Sequence, residues 1–160
     1  VNVDFSHQSL SEQLAVAGFD RTKPTLFTLE GVSQYITKEA VSSTINELAS
    51  LVEGTSSIFF MSYVDENLDK NPSACFGKGY PNPAKKASLI MSLSEKVGEP
   101  WISFYSKEEI ENLLSQNGFS IEEDVTLEDL NSIYFGPVGR TLAENQIFKL
   151  EHFLVAILKK

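Results

Sequence analysis

A single cysteine, Cys75, in 160 residues excludes an internal disulfide and any zinc site built on several thiolates. Histidine is almost as scarce: His7 and His152 stand far apart, and neither has a second histidine or a cysteine near it in sequence, so a metal site has little support. Lys and Arg number 13 against 22 Asp and Glu, a formal charge of −9. That balance argues against duplex DNA or an anionic membrane surface as the main partner, because both are polyanions. No apolar run approaches the roughly 20 residues that span a bilayer, and the opening residues do not read as a basic-then-apolar leader. These absences predict a cytoplasmic chain with no nucleic-acid and no membrane partner. Neither G-x-G-x-x-G nor G-x-x-x-x-G-K-[ST] occurs, so no complete dinucleotide site and no P-loop is encoded.

What is present is ordinary for a globular chain: 42% hydrophobic and 22% charged residues, in a length that suits one domain or part of a larger one. Val1 to Phe5 reads like the end of a strand, which predicts that the chain is a piece of something longer. Ser9-Leu10-Ser11-Glu12 has capping-box spacing ahead of an apolar face of Leu10, Leu14 and Ala17, and Gly18 ends that helix. Thr25 to Leu29 is a short β-prone run. Thr37 then caps a helix whose Val41, Ile45, Leu48 and Val52 recur at helical spacing. Ser57 to Val64 is apolar on both faces, the pattern of a central strand covered on both sides. From Asp65 to Pro83 the residues predict a long irregular insertion, followed by a weak helix from Ala84 to Lys96; together they form a lid at about 65–97. Ser106 to Glu109 is a second capping box before Ile110, Leu113 and Leu114. Phe119 to Val125 predicts a strand, Leu127 to Tyr134 a short helix, and Phe148 to Leu158 a final strand that the turn-rich stretch around Gly136, Pro137 and Gly139 leaves free to run antiparallel. Alternation of this kind predicts an α/β fold: a mostly parallel, Rossmann-like sheet with helices on both faces.

Ligands of open α/β sheets bind beyond the carboxyl ends of the strands. Asp4, Glu30 and Asp65 fall at three such ends, where carboxylates accept hydrogen bonds from ribose or amino groups and attract cations. Acids after strands also cap helices and solvate loops, and the pattern is weighed against that reading. Ser33, Asp124 and His152 occur in the chain order of an α/β-hydrolase triad. Tyr35, however, occupies the place of the second elbow glycine, and His152 lies inside a strand, where a packed or solvent-facing role is the ordinary one. Trp101, Phe104 and Tyr105 suit either core or a cover over a ligand.

The segments Asp4-Phe5, Pro24 to Ile36 and Gly98-Glu99-Pro100-Trp101, taken in order, resemble the leucine carboxyl methyltransferase family of S-adenosylmethionine-dependent O-methyltransferases. The resemblance covers about 1–64 and 98–158. It implies a class I methyltransferase sheet with a reversed last strand and S-adenosylmethionine as cofactor. It also implies that Asp4 and Phe5 contact the adenosine part and that Glu30 lies against the methionine moiety. The family's glycine-rich loop and ribose-binding acid have no counterpart here. The chain is therefore expected to be the C-terminal portion, 1–160, of a single methyltransferase domain, inactive alone. Its acceptor would be a small molecule or a carboxylate or hydroxyl group, with Tyr35 or a residue of the lid as the side chain that touches it. The alternative is a non-catalytic interaction module that completes its sheet with another chain, because an apolar open edge at Thr25 to Leu29 invites self-association. An α/β-hydrolase is the remaining alternative.

Overall fold

The computed structural model describes residues 2–3, 8–52 and 54–158. Helix α1 (Leu10–Val16) begins at Ser9, whose hydroxyl accepts from the Glu12 amide and donates to Glu47 Oε2 at 2.9 Å. That second bond ties α1 to the long helix α2 (Lys38–Leu51), which is capped by the Thr37 hydroxyl. Between them runs β1 (Leu26–Leu29), and β2 (Ile58–Val64) follows α2. Helix α5 (Lys107–Gln116) has the capping box expected of it: Ser106 Oγ accepts from the Glu109 amide, and the Ser106 amide donates to Glu109 Oε2. Strand β3 (Phe119–Thr126), the short α6 (Leu127–Leu130) and β4 (Glu151–Leu158) complete the frame.

The sheet order is β1-β2-β4-β3. β1 and β2 are parallel, and β4 is antiparallel to both β2 and β3. The last strand is thus inserted, reversed, between two strands that precede it. Period-two alternation decides what each face does. His152, Leu154, Ala156 and Leu158 are buried, with Phe59, Met61 and Tyr63 of β2 beside them on the same face. This face packs on Val41, Ile45 and Leu48 of α2 and on Ile110 and Leu114 of α5, with Leu10 and Leu14 of α1 at its margin. The helices α1, α2 and α5 therefore share one face. The opposite face is covered unevenly: Val64 is buried, whereas Ile58, at the other end of β2, is 41% exposed. The two-sided cover expected for β2 holds only towards its carboxyl end among the described residues.

The segment 65–97 is folded rather than irregular. It forms α3 (Asn67–Lys70), a 3₁₀ turn at Pro72–Cys75 and α4 (Pro83–Lys96). Leu68, Cys75, Phe76 and Ala87 bury themselves with Val64 and Leu150 in a second core. Phe76, Tyr80 and Phe148 pack their rings 4.6 to 5.7 Å apart. Phe148 is consequently drawn out of the final strand, which starts at Glu151, and bridges Phe76 instead. Gly77 makes the closure possible: a Cβ there would sit 1.8 Å from the Glu144 carbonyl oxygen. The helix expected at Leu127 to Tyr134 passes from α6 into a π turn over Asn131–Phe135. Among the described residues no helix is long and apolar enough to cross a membrane.

Candidate functional site

At the carboxyl end of β1 the chain must turn sharply, and Gly31 does so at φ +65°, a conformation that costs a side-chain-bearing residue. The loop that follows is stitched to β2. The Gly31 amide donates to Ser62 Oγ at 2.9 Å, and Ser33 Oγ donates to the Ser62 carbonyl at 2.8 Å. The other side of the loop is bonded to the segment after α4. The Gln34 carbonyl accepts from the Ile102 amide at 2.7 Å, and Ser103 Oγ donates to the Ile36 carbonyl at 2.6 Å. Two segments distant in sequence are thereby held side by side. They enclose a cleft of about 480 Å³ lined by Gly31, Val32, Tyr35, Gly98, Glu99, Pro100 and Ile102. The Tyr35 ring meets Trp101 edge to face, 6.4 Å between centroids. Gln34 is 5% exposed, and its Oε1 has no hydrogen-bond partner among the described residues. A buried acceptor left in that state is costly, and Gln34 itself is not among the residues that line the cleft.

Of the residues singled out from sequence, Tyr35 lines the cleft, while Glu30, immediately before Gly31, is exposed and is not among the lining residues. Asp4 and Phe5 lie outside the described residues. Asp65 does not join Glu30. Its Oδ1 accepts from the Asn67 amide at 2.7 Å, and its Oδ2 faces His152 Nε2 at 3.3 Å. His152 Nδ1 lies 2.8 Å from Asp124 Oδ1, and the Tyr63 hydroxyl donates to Asp124 Oδ2 at 2.8 Å. Tyr63 also stacks on the imidazole, 4.6 Å between centroids, and Lys107 Nζ stands 3.6 Å from Asp124.

This cluster sets its own protonation. Burial works to lower the His152 pKa, but the ring's hydrogen bonds to Asp124 and Asp65 overcome it and hold the imidazole above its ordinary value. Burial likewise works to raise both carboxyls, yet the bonds to His152 hold them below the usual range. Burial, then the neighbouring Asp124 charge, pushes the Tyr63 phenol up. The arrangement removes the hydrolase alternative. Asp124 and His152 do pair, but each imidazole nitrogen faces a carboxylate and Ser33 gives its hydroxyl proton to the Ser62 carbonyl. No ring nitrogen is left to activate a serine. The sequence reading named Asp124 and His152 together, but only as part of a hydrolase triad; Tyr63 and Asp65 escaped it as their partners because the members come from three strands and a strand end.

Residues 1–49 match the profile of the family described as leucine carboxyl methyltransferase. YktD of Bacillus subtilis (strain 168), whose name marks it as a candidate S-adenosyl-L-methionine-dependent methyltransferase, is 33% identical over 159 residues, covering 99% of this chain and 48% of its own length. The chain thus spans about half the length of that curated relative. Among solved structures, a DUF574 family protein from Streptomyces avermitilis MA-4680 superposes with a TM-score of 0.60 at 12% identity, covering 98% of this chain and 53% of the other. Magnesium protoporphyrin IX methyltransferase from Synechocystis PCC 6803, solved with bound SAH, has a TM-score of 0.50 at 15% identity, covering 99% and 50%. These likenesses show that the fold is that of class I methyltransferases, seen over half of its extent.

Proposed function

We propose that this chain, which is similar to the leucine carboxyl methyltransferase family, supplies the C-terminal portion of an S-adenosylmethionine-dependent O-methyltransferase domain. The observation that carries the proposal is the cleft at the carboxyl end of β1. Its lining comes from Gly31 to Tyr35 and from Gly98 to Ile102, within or next to the segments Pro24 to Ile36 and Gly98 to Trp101 that carry the family resemblance. The residues present fit part of such a cofactor. Glu30 offers a carboxylate to a molecule that carries a sulfonium and an ammonium, and Tyr35 offers a ring face. Asp4 and Phe5 are assigned to the adenosine end on the family resemblance alone.

When bound, S-adenosylmethionine supplies an electrophilic methyl group, which passes to an acceptor oxygen as the carbon–sulfur bond breaks and a carbon–oxygen bond forms. What this chain contributes is placement. The bonded pair of segments fixes the cleft wall, and the Tyr35 ring in that wall is backed edge to face by Trp101. For such a reaction, alignment and exclusion of water do most of the work. A carboxylate acceptor needs no base; Tyr35 is the side chain placed to meet a hydroxyl. A cytoplasmic location belongs to the same proposal.

Isothermal titration with S-adenosylhomocysteine tests it, on this chain and on the protein extended to the full length of its relatives. Micromolar binding by the extended protein, weakened by Glu30→Gln, and poor binding by this chain alone are the expected results. No binding by the extended protein would refute the assignment, and tight binding by this chain alone would refute its division into halves. A second reading, an interaction module that pairs through its sheet edge, is favoured by one observation: β1 is an edge strand with Leu26 62% exposed.

A further inference from the structure

A second cavity opens at the same carboxyl end of the sheet. It holds about 410 Å³, within the range of small-molecule sites, and is lined chiefly by Ile90 of α4, Trp101, Leu127 of α6, Phe148, Leu150 and Phe153. The register pairs Val64 with Glu151, so this wall stands where β2 ends and β4 begins, at the carboxyl ends of the parallel strands. Trp101 links the two cavities. It lines this one, while its chain neighbours Pro100 and Ile102 line the cleft and its ring meets Tyr35 of that cleft. The Tyr35–Trp101 pair is thus a shared partition.

The lining carries two charged groups, Lys86 and Glu151. Lys86 Nζ lies 5.8 Å from the centre of the Phe148 ring and forms no salt bridge among the described residues. An ammonium over an aromatic face beside an apolar chamber suits a ligand that brings its own anion. Three rings in the lining, Trp101, Phe148 and Phe153, suit a flat body.

We propose that this cavity binds a flat, ring-bearing carboxylic acid, with its anion at Lys86 and its ring against Trp101 and Phe148, as the molecule presented for methylation. The word methylation rests on the function proposed above; the binding does not. Trp101 is the sole tryptophan of the 160 residues, so its emission reports occupancy directly. Titration of this chain with naphthoate should change that emission saturably. Naphthalene methanol should bind about fivefold more weakly and adipate, an anion without a ring, should leave the emission unchanged. Lys86→Gln should bring naphthoate down to the level of the neutral alcohol, and Leu127→Phe, which fills the chamber, should weaken both. Circular dichroism on each variant verifies that the fold is kept. A response that is linear and unsaturable, or that is the same in all three proteins, would overturn the proposal. Failure of the protein extended to the full length of its relatives to bind S-adenosylhomocysteine, with naphthoate binding intact, would overturn the methyltransferase reading alone.

Discussion

Replacing His152 by phenylalanine isolates the charge chemistry of the cluster behind the site. Phenylalanine keeps a ring of similar size on Tyr63, so stacking at 4.6 Å is retained. It removes the partner of Asp124 at 2.8 Å and of Asp65 at 3.3 Å, leaving two carboxylates whose side chains are only 14% and 20% exposed. Removing one member of a buried ionic set costs about 3–5 kcal/mol. Asp124 retains the Tyr63 hydroxyl and Lys107, and Asp65 retains the Asn67 amide, so the lower end applies, about 3 kcal/mol. For a chain of this length that lowers Tm by roughly 6–12 °C. The pH dependence is more diagnostic. His152 is raised above 6.5, so its stabilisation is complete below 6.5 and lost as pH rises through its folded value. Asp65 and Asp124 are lowered below 3.8, so theirs is present above 3.8 and lost as pH falls through their folded values. Urea melts should therefore show the cluster contributing most between about pH 4 and 6.5, with a decline on the alkaline side that His152→Phe abolishes. A wild-type stability that does not fall on that side, together with a variant within about 0.5 kcal/mol of it, would refute the reasoning.

Gly77→Ala drives a methyl group into the Glu144 carbonyl, whose backbone cannot give way like a side-chain tip. It should cost about 1–3 kcal/mol and raise hydrogen exchange at Phe76 and Tyr80 before the main sheet is affected. Leu26→Lys places a charge on the edge strand; light scattering should show less self-association than in the wild type, and an equally monomeric wild type would remove the edge-pairing reading.

Local signals were the legible ones. The capping residues Ser9, Thr37 and Ser106 occupy the caps they were assigned, because a hydroxyl three residues ahead of a free amide needs nothing distant to act. The run Ser57 to Val64, apolar on both faces, and the apolar C-terminal run located β2 and β4, and the resemblance implied the reversed order of the last. What failed to read out was long-range. Phe148 looked like strand until Phe76 and Tyr80, some 70 residues earlier, offered it a better partner. Asp65 looked like a companion to Glu30 until His152 was placed against it. The 65–83 stretch is poor in periodicity because Leu68, Cys75 and Phe76 bury themselves singly from turns rather than from one helix face.

The start of β4 shows why stability and ligand choice should separate in this fold. Its reversal sets residues 151–153 beside the ends of β2 and β3, against Val64, Tyr63 and Ser62 on one side and Thr126 and Val125 on the other. Successive side chains then leave by opposite faces. Glu151 and Phe153 line the apolar chamber, while His152, between them, enters the buried cluster with Tyr63 and Asp124. One strand start thus serves two chemistries through the pleat alone. Substitutions at Phe153 should retune what the chamber accepts with little change in the pH profile of unfolding, and those at His152 should do the reverse. A shared response of both properties to either change would mean that the faces are coupled through the backbone, contrary to the hydrogen-bonded register that holds it.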